Sequence, residues 1–358
     1  MNTLTAVPTE YLYAIDRVPT LQNRVYETAE QAIACGHGNI RLSHDPDTGI
    51  VTNVAFDERL VCYDQNYNNE QSLSSAFKKH LTEVRSIIKQ SLGSNNLFEV
   101  GCGKGAFLEQ LKEDGCEISG CDPTYEGNNK RVLKSFFNES LGVSGKNLIL
   151  RHVLEHIVNP LDFLYLLAEA NHGGKIYIEV PCLDWIITHR TWFDIFYEHV
   201  NYFRRVDFER IFESVEVKNI FGGQYLAIIA DLESLRTAEA VKRLGDSCSK
   251  IEFPRDFHEP EMKYAAENDA IWGAASKGVI YAIMREKFGL PVNFAVDMNP
   301  AKQGRYLPIT GIPIISPATF MQTATNDQQI FVMNSNYVDE IKTLTKNKFH
   351  YRVLETNE

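Results

Sequence analysis

The sequence predicts an α/β protein with two Rossmann-like units in tandem behind a small amino-terminal region of strands and turns. Three observations carry that reading. "LFEVGCGKGAF" at 97–107 runs an apolar strand straight into a glycine loop and then a helix. "AIWGAASKGVIYAIMREKFGLPVNFAVD" at 270–297 repeats the pattern as strand, Gly-rich turn, helix and strand. Between them, apolar runs of strand length alternate with helical stretches, and repeated βαβ units imply a parallel sheet covered by helices.

At 358 residues and 44% hydrophobic content the chain suits two or three domains with sizeable cores. The expected divisions are 1–74, 75–232 and 233–358. Residues 1–74 read as short strands and turns, with "SHDPDTG" the clearest turn. "SSAFKKHLTEVRSIIKQSL" is a helix leading into the first glycine corner. Strands follow at "LFEV", "EISGCD", "NLIL" and "GKIYIEVP", with helices over 105–113 and near 160–170. "VEVKNIFG" and "QYLAIIA" read as an antiparallel finish, and a polar helical stretch near 232–250 leads to the second alternation.

A net charge of −11 without a basic block argues against nucleic acid or an anionic membrane surface as partner. No apolar run approaches the roughly 18 residues a membrane helix needs. The amino terminus has no basic start followed by an apolar core, so no signal peptide is expected. Seven scattered cysteines, with no C-x-x-C pair, fit reduced thiols and a cytoplasmic location.

A strand–glycine–helix corner lets a ligand approach the backbone and lie against the positive end of a helix. Gly101, Gly103 and Ala106 fit the dinucleotide pattern, but the same corner also serves S-adenosylmethionine. Asp122, closing the next strand, can accept ribose hydroxyls from either ligand. Glu99 separates the two. It sits inside an apolar strand, where an isolated carboxylate is costly to bury, and a dinucleotide site has no use for it. A methyltransferase uses such an acid to hold the loop and the methionine ammonium.

Two further stretches point to an active-site wall. In "LILRHVLEHIVNP", His152 and His156 stand four apart and would share one helical face. H-V-L-E-H is not the H-E-x-x-H zinc motif and no third ligand is evident, so a wall beside the cofactor is the stronger reading. In "WFDIFYEHVNYF", aromatic residues surround one Glu–His pair, an environment that can tune a histidine as a general base.

"FEVGCGKGAFLEQL", "GCDPTYEG", "RHVLEHI", "IEVP", "DIFYEHVNYF" and "GQYL" resemble, in order and spacing, the three-domain S-adenosylmethionine-dependent nucleotide-sugar C-methyltransferases. That family includes enzymes methylating carbon 3 of dTDP-4-keto-deoxysugars. "WGAASKGV", "VDMNPAKQGRYLP", "GIPI" and "VMNSNYVDEI" resemble its terminal Rossmann-like domain, so the match runs from Pro19 to Ile341. The resemblance implies a class I methyltransferase central domain. In it Gly101, Gly103, Gly105, Glu99, Asp122, Pro123, Arg151, His152 and Tyr67 would hold S-adenosylmethionine. It implies His199 as base, Glu198 as its neighbouring acid, and His156 as a further active-site histidine. Where relatives have a tyrosine two before that Glu, this chain has Phe196, with Tyr197 adjacent as the available phenol. Lys277, Lys302 and Arg305 would meet a substrate diphosphate.

Relatives also carry an amino-terminal zinc knuckle ending in C-P-x-C-G. Here the same place reads "DPDTG", with Asp45 and Thr48 at the thiolate positions, and the first cysteine pair is missing. No metal is therefore expected, a rewired set of Cys35, His37, His44 and Cys62 being the alternative. The expected function is methylation of a small molecule, foremost a carbon of a nucleotide-linked keto-sugar, by a monomer or homodimer. Nitrogen or oxygen methylation, an NAD-linked oxidoreductase and an inactive binding protein are the rivals.

Overall fold

A computed structural model describes residues 11–61, 74–246, 251–258, 262–266, 269–325 and 328–353. Tyr67 and Cys62 lie outside the described residues. The amino-terminal sheet starts with β1 (Tyr13–Pro19), β2 (His37–His44) and β3 (Val51–Asn53), antiparallel neighbours in that order, with helix α1 (Ala29–Ile33) between the first two. The turn joining β2 to β3 is the "DPDTG" segment. Asp45 Oδ1 accepts the Thr48 N–H and hydroxyl, each at 2.7 Å, and the Asp47 N–H at 3.1 Å. An Asx-type hydrogen-bond cluster thus shapes the turn that thiolates and zinc hold in the resembled enzymes.

Helix α2 (Ser75–Leu92) buries Leu81, Val84, Ile88 and Leu92, a 3–4-residue spacing that puts one stripe against the sheet. Ser74 caps its start by accepting the Phe77 N–H, and Gly93 ends it. Beyond it lie the parallel strands β4 (Leu97–Val100), β5 (Ile118–Cys121), β6 (Val132–Leu133), β7 (Asn147–Arg151) and β8 (Lys175–Pro181). All four residues of β4 are buried, as a strand covered on both faces requires. Helices α3 (Ala106–Glu113) and α4 (Pro160–Asn171) supply the crossovers, and α5 (Leu183–Thr188) follows β8. The short strand β9 (Asn201–Tyr202) leaves this sheet and pairs with β3, so the amino-terminal sheet is completed by the middle of the chain.

After α6 (Arg205–Ile211), β10 (Val215–Ile220) and β11 (Tyr225–Asp231) form the antiparallel finish that the sequence predicts. The order is β10-β11-β8-β7-β4-β5-β6. Helix α7 (Ala238–Asp246) falls within the expected polar helical stretch. The third sheet is wholly parallel: β12 (Ala270–Trp272), β13 (Ala295–Val296), β14 (Ile314–Ile315), β15 (Gln329–Val332) and β16 (His350–Val353), ordered β14-β13-β12-β15-β16. Helices α8 (Ser276–Lys287), α9 (Pro317–Thr323) and α10 (Val338–Leu344) join its strands. The chain is therefore a small amino-terminal sheet domain followed by two larger Rossmann-like α/β domains.

The second glycine corner is built as the first. Asp297 Oδ2 accepts the Ala274 N–H at 2.8 Å, as Asp122 Oδ2 accepts the Gly103 N–H at 2.8 Å. A Cβ on Gly278 would stand 1.8 Å from the Gly273 carbonyl oxygen, so only glycine lets α8 sit this close to the turn after β12. The domains also share one apolar core, running from Val18 and Ile40 through Leu150 and Ile178 to Val279 and Phe331. Gln224 and Asn334 lock central and carboxy-terminal domains by a reciprocal amide pair, both bonds 2.9 Å. None of the described helices is long and apolar enough to cross a membrane.

Candidate active site

The carboxyl ends of β4, β5, β7 and β8 meet along one edge, where ligands of open α/β sheets lie. Gly101, Gly103 and Gly105 all have positive φ, at 73°, 56° and 77°. A Cβ on Gly101 would stand 2.5 Å from Val153 Cγ2, so the glycine loop touches the turn after β7. Gly105 caps α3 without any side-chain bond, leaving that helix end to a ligand. Asp122 shapes the loop through Gly103, while its Oδ1 accepts the Thr124 N–H at 2.7 Å and hydroxyl at 2.6 Å around Pro123.

Glu99 is only 3% exposed, and its Oε2 has no hydrogen-bond partner. Burial pushes its carboxyl up to about 7; Arg151 opposes this, while Asp122 and Glu179 add to it. A glycine cradle beside an orphaned buried acceptor fits S-adenosylmethionine, whose amino-acid end brings cationic donors. Pairing with that cation would also favour the ionised carboxylate.

The sequence reading missed Glu179, although "IYIEVP" hides an acid in an apolar strand just as "LFEV" does. Glu179 is fully buried and gathers four donors. Its Oε1 accepts His80 Nε2 at 2.8 Å and His152 Nε2 at 3.2 Å, and its Oε2 accepts Arg151 Nε at 2.9 Å and the Tyr177 hydroxyl at 3.2 Å. Burial alone would raise its pKa, but Arg151, His152 and His80 hold it well below the carboxylate range. The shared helical face expected for His152 and His156 does not form. His152 takes a left-handed φ of 53°, and a single 3₁₀ turn, Leu154–His156, follows. His152 is thereby turned to Glu179 and Glu155. Burial pulls its pKa down, but the hydrogen bonds it donates to both carboxylates, with their negative charge, outweigh this and bring it to about 9.

These shifts fix a pH dependence. Glu99 contributes stability that is full below its usual 4.5 and lost as pH rises through about 7. His152 contributes stability full below 6.5 and lost as pH rises through about 9. Burial depresses the imidazole pKa of His199 and His258, so both gain stability as pH rises towards 6.5 and oppose Glu99 there. The urea midpoint should therefore fall from pH 7 towards 9. His152→Gln should flatten that decline, and Glu99→Gln should remove only its start near pH 7. A midpoint that rises with pH across that interval would contradict the network.

Beyond the network lies a cavity of about 260 Å³ between the central and carboxy-terminal domains. His152, His156, Glu198 and His199 line one wall, Asn23 reaches in from the amino-terminal domain, and the Gly273–Gly278 turn with Lys302 forms the other. His199 is 8% exposed, its ring 4.0 Å from that of Phe196 and 4.9 Å from that of His156. Burial, then the neighbouring His156 and His152, hold its pKa well below 6.5, so the ring is neutral. Its Nδ1 is buried without a partner. Glu198 acts on both sides of this pair: its Oε1 accepts the Gln22 N–H at 2.6 Å, and its carbonyl accepts His156 Nδ1–H at 2.8 Å.

Other expected residues stand elsewhere. Tyr197 is fully buried away from the cavity; its hydroxyl accepts the Asp57 N–H at 2.8 Å, and its ring lies against Gly38 and Phe56. It anchors the amino-terminal sheet because residues 196–199 form a tight turn, closed by the His199 N–H on the Phe196 carbonyl at 3.2 Å, that sends Tyr197 away while Phe196, Glu198 and His199 line the cavity. Arg305 pairs with Glu27 and does not line the cavity. Lys277 lines it but is bound to Asp194 at 2.9 Å, and Lys302, 4% exposed, donates to the Ala274 carbonyl at 3.2 Å. Gln224, Tyr225 and Tyr337 also line it; "GQYL" and "VMNSNYVDEI" marked their segments without marking them. His44 of the alternative metal set bonds the Gly49 carbonyl at 3.2 Å and the Ile251 N–H at 3.4 Å.

Sheet order, glycine cradle and buried acid together define an S-adenosylmethionine-dependent methyltransferase. Residues 71–220 match the family described as methyltransferase domain, and residues 259–352 match the C-methyltransferase C-terminal domain. The chain is distantly similar to C-methyltransferase NovU of Streptomyces niveus, at 22% identity over 324 residues, covering 77% of this chain and 76% of that protein. Among solved structures, an S-adenosylmethionine-dependent methyltransferase from Archaeoglobus fulgidus aligns with TM-score 0.36 and 19% identity, over 46% of this chain and all of that one. The Burkholderia thailandensis 1,6-didemethyltoxoflavin-N1-methyltransferase aligns with TM-score 0.34 and 14% identity, over 44% of this chain and 80% of that one.

Proposed function

We propose that this methyltransferase acts on a carbon α to a ketone in a nucleotide-linked sugar. The observation that carries the proposal is His199, a neutral imidazole buried at the wall of the interdomain cavity with an unpartnered nitrogen. The match to a C-methyltransferase C-terminal domain and the similarity to a protein named as a C-methyltransferase support carbon as acceptor. The nucleotide-sugar class rests on the sequence motifs resembled by both halves of the chain.

In this reading Glu99, the three glycines, Asp122, Pro123, Arg151 and His152 hold S-adenosylmethionine, which supplies a methyl group already activated by its sulfonium. His199 accepts the proton α to the ketone. A strongly depressed basicity makes it a weak base in the protein alone, but negative charge developing on the substrate oxygen raises it. His152, protonated at neutral pH and lining the same wall, stabilises that oxygen electrostatically. Tyr197 is too far into the core to donate there, and His156 has committed Nδ1 to the Glu198 carbonyl. Glu198 positions rather than reacts. Lys302 is the cation the carboxy-terminal wall offers to a diphosphate, with Lys277 available if it exchanges Asp194 for phosphate.

Methyl-¹³C-labelled S-adenosylmethionine with a nucleotide-linked 4-ketosugar tests the proposal. A carbon-bound methyl resonance in the aliphatic region of the ¹³C spectrum is expected; an O- or N-methyl shift, or no transfer, would contradict it. Calorimetry should show S-adenosylhomocysteine binding and no comparable binding of NADH. Asp122→Ala should weaken that binding by about 1–3 kcal/mol, the range for a charged hydrogen-bond partner. The variant also frees the Gly103 N–H, so the upper half of the range is expected.

A further inference from the structure

The expectation of no metal considered His152 with His156 and found no third ligand. The fold groups different residues. Among the described residues, Glu155, His156 and His199 are the one trio whose ligand atoms all lie within 4.8 Å of one another. Glu155 is fully buried, with Oε1 held by His152 Nδ1 at 3.2 Å and Oε2 buried without a partner. His199, also buried, has its Nδ1 unpartnered. Two orphaned acceptors on members of one close trio need an explanation, because buried polar groups are nearly always bonded.

We propose that Glu155, His156 and His199 form a site for a first-row divalent ion of the zinc class, its fourth position open to the interdomain cavity. Two imidazoles and one carboxylate are a ligand set zinc uses when it keeps an open position. His156 donates Nδ1–H to the Glu198 carbonyl, the outer-shell bond that fixes the tautomer of a metal-binding imidazole and leaves Nε2 to the ion. His199 has its unpartnered Nδ1 to give. Tetrahedral bonds of about 2.0–2.2 Å want ligand atoms about 3.3–3.5 Å apart, so the widest pair of the trio closes by up to about 1.5 Å. His156 is only half-buried, on a single 3₁₀ turn, and lines the cavity.

One consequence rests on the proposed function, although the site itself does not. An ion on His199 occupies the electron pair that would take the substrate proton, so bound metal inhibits methyl transfer.

Cobalt(II) titration of the chelator-treated full chain tests the site. One equivalent should bind with a visible d–d absorption band and no near-ultraviolet thiolate-to-cobalt band. Glu155→Gln and His156→Gln should each weaken binding by more than about tenfold, the lower limit for losing even an outer-shell partner. Cys35→Ser should leave it unchanged. Retained S-adenosylhomocysteine binding shows that a variant has folded; should Glu155→Gln lose it, His156→Gln carries the test. No saturable band, a band that survives both substitutions, or a thiolate band removed by Cys35→Ser would overturn the proposal. A metal that binds with the expected ligands yet leaves methyl transfer intact keeps the site and removes His199 as base.

Discussion

Replacing His199 with Gln should lower turnover by at least about a hundredfold, because a positioned general base contributes about 10²–10⁴ to rate. Glutamine keeps much of the volume and some hydrogen bonding but cannot accept a proton at neutral pH. S-adenosylmethionine binding should hardly change, since the glycine cradle, Glu99 and Asp122 belong to other strand ends. The two readouts separate chemistry from folding. Wild-type turnover in the variant would mark His199 as a packed core residue, and the search for a base would move to His156.

Glu179→Ala should cost about 3–5 kcal/mol of stability, the range for breaking a buried ion pair by removing one partner. The loss arises from what remains. Arg151 is 10% exposed and His152 is charged at neutral pH, and both would be left facing a cavity without their shared carboxylate. His80 and Tyr177 would lose their acceptor as well. Glu179→Gln should cost less because it still accepts two of those bonds. Chemical denaturation at pH 7 measures the difference. A loss below about 1 kcal/mol, the value of an exposed pair, would mean that water reaches the network.

The glycine corners, the strand–helix alternation and the antiparallel finish were legible because each is written within some thirty neighbouring residues. Glu99 was legible for the same reason: one acid stands out in four apolar positions. Glu179 carried the identical local signature and was passed over, so the signal existed. His80 and Asn23 gave none, because a helix before the first strand and a loop of the amino-terminal sheet bring them to the site only through tertiary packing. The Tyr197 expectation failed on direction: a tight turn over 196–199 sends Tyr197 away while Phe196, Glu198 and His199 line the cavity, and sequence adjacency to Glu198 said nothing about which way. The trio of Glu155, His156 and His199 was hidden likewise, since its third member comes from a distant segment held by β9.

In the proposed reaction His199 removes a proton from a carbon beside a ketone. Hydrogen exchange measures that step without methyl transfer. With S-adenosylhomocysteine bound, the wild-type protein in D₂O should exchange the α-hydrogen of a nucleotide-linked 4-ketosugar, followed by proton NMR, and His199→Gln should not. Exchange that proceeds equally in the His199→Gln variant, with the fold and S-adenosylhomocysteine binding intact, would contradict it.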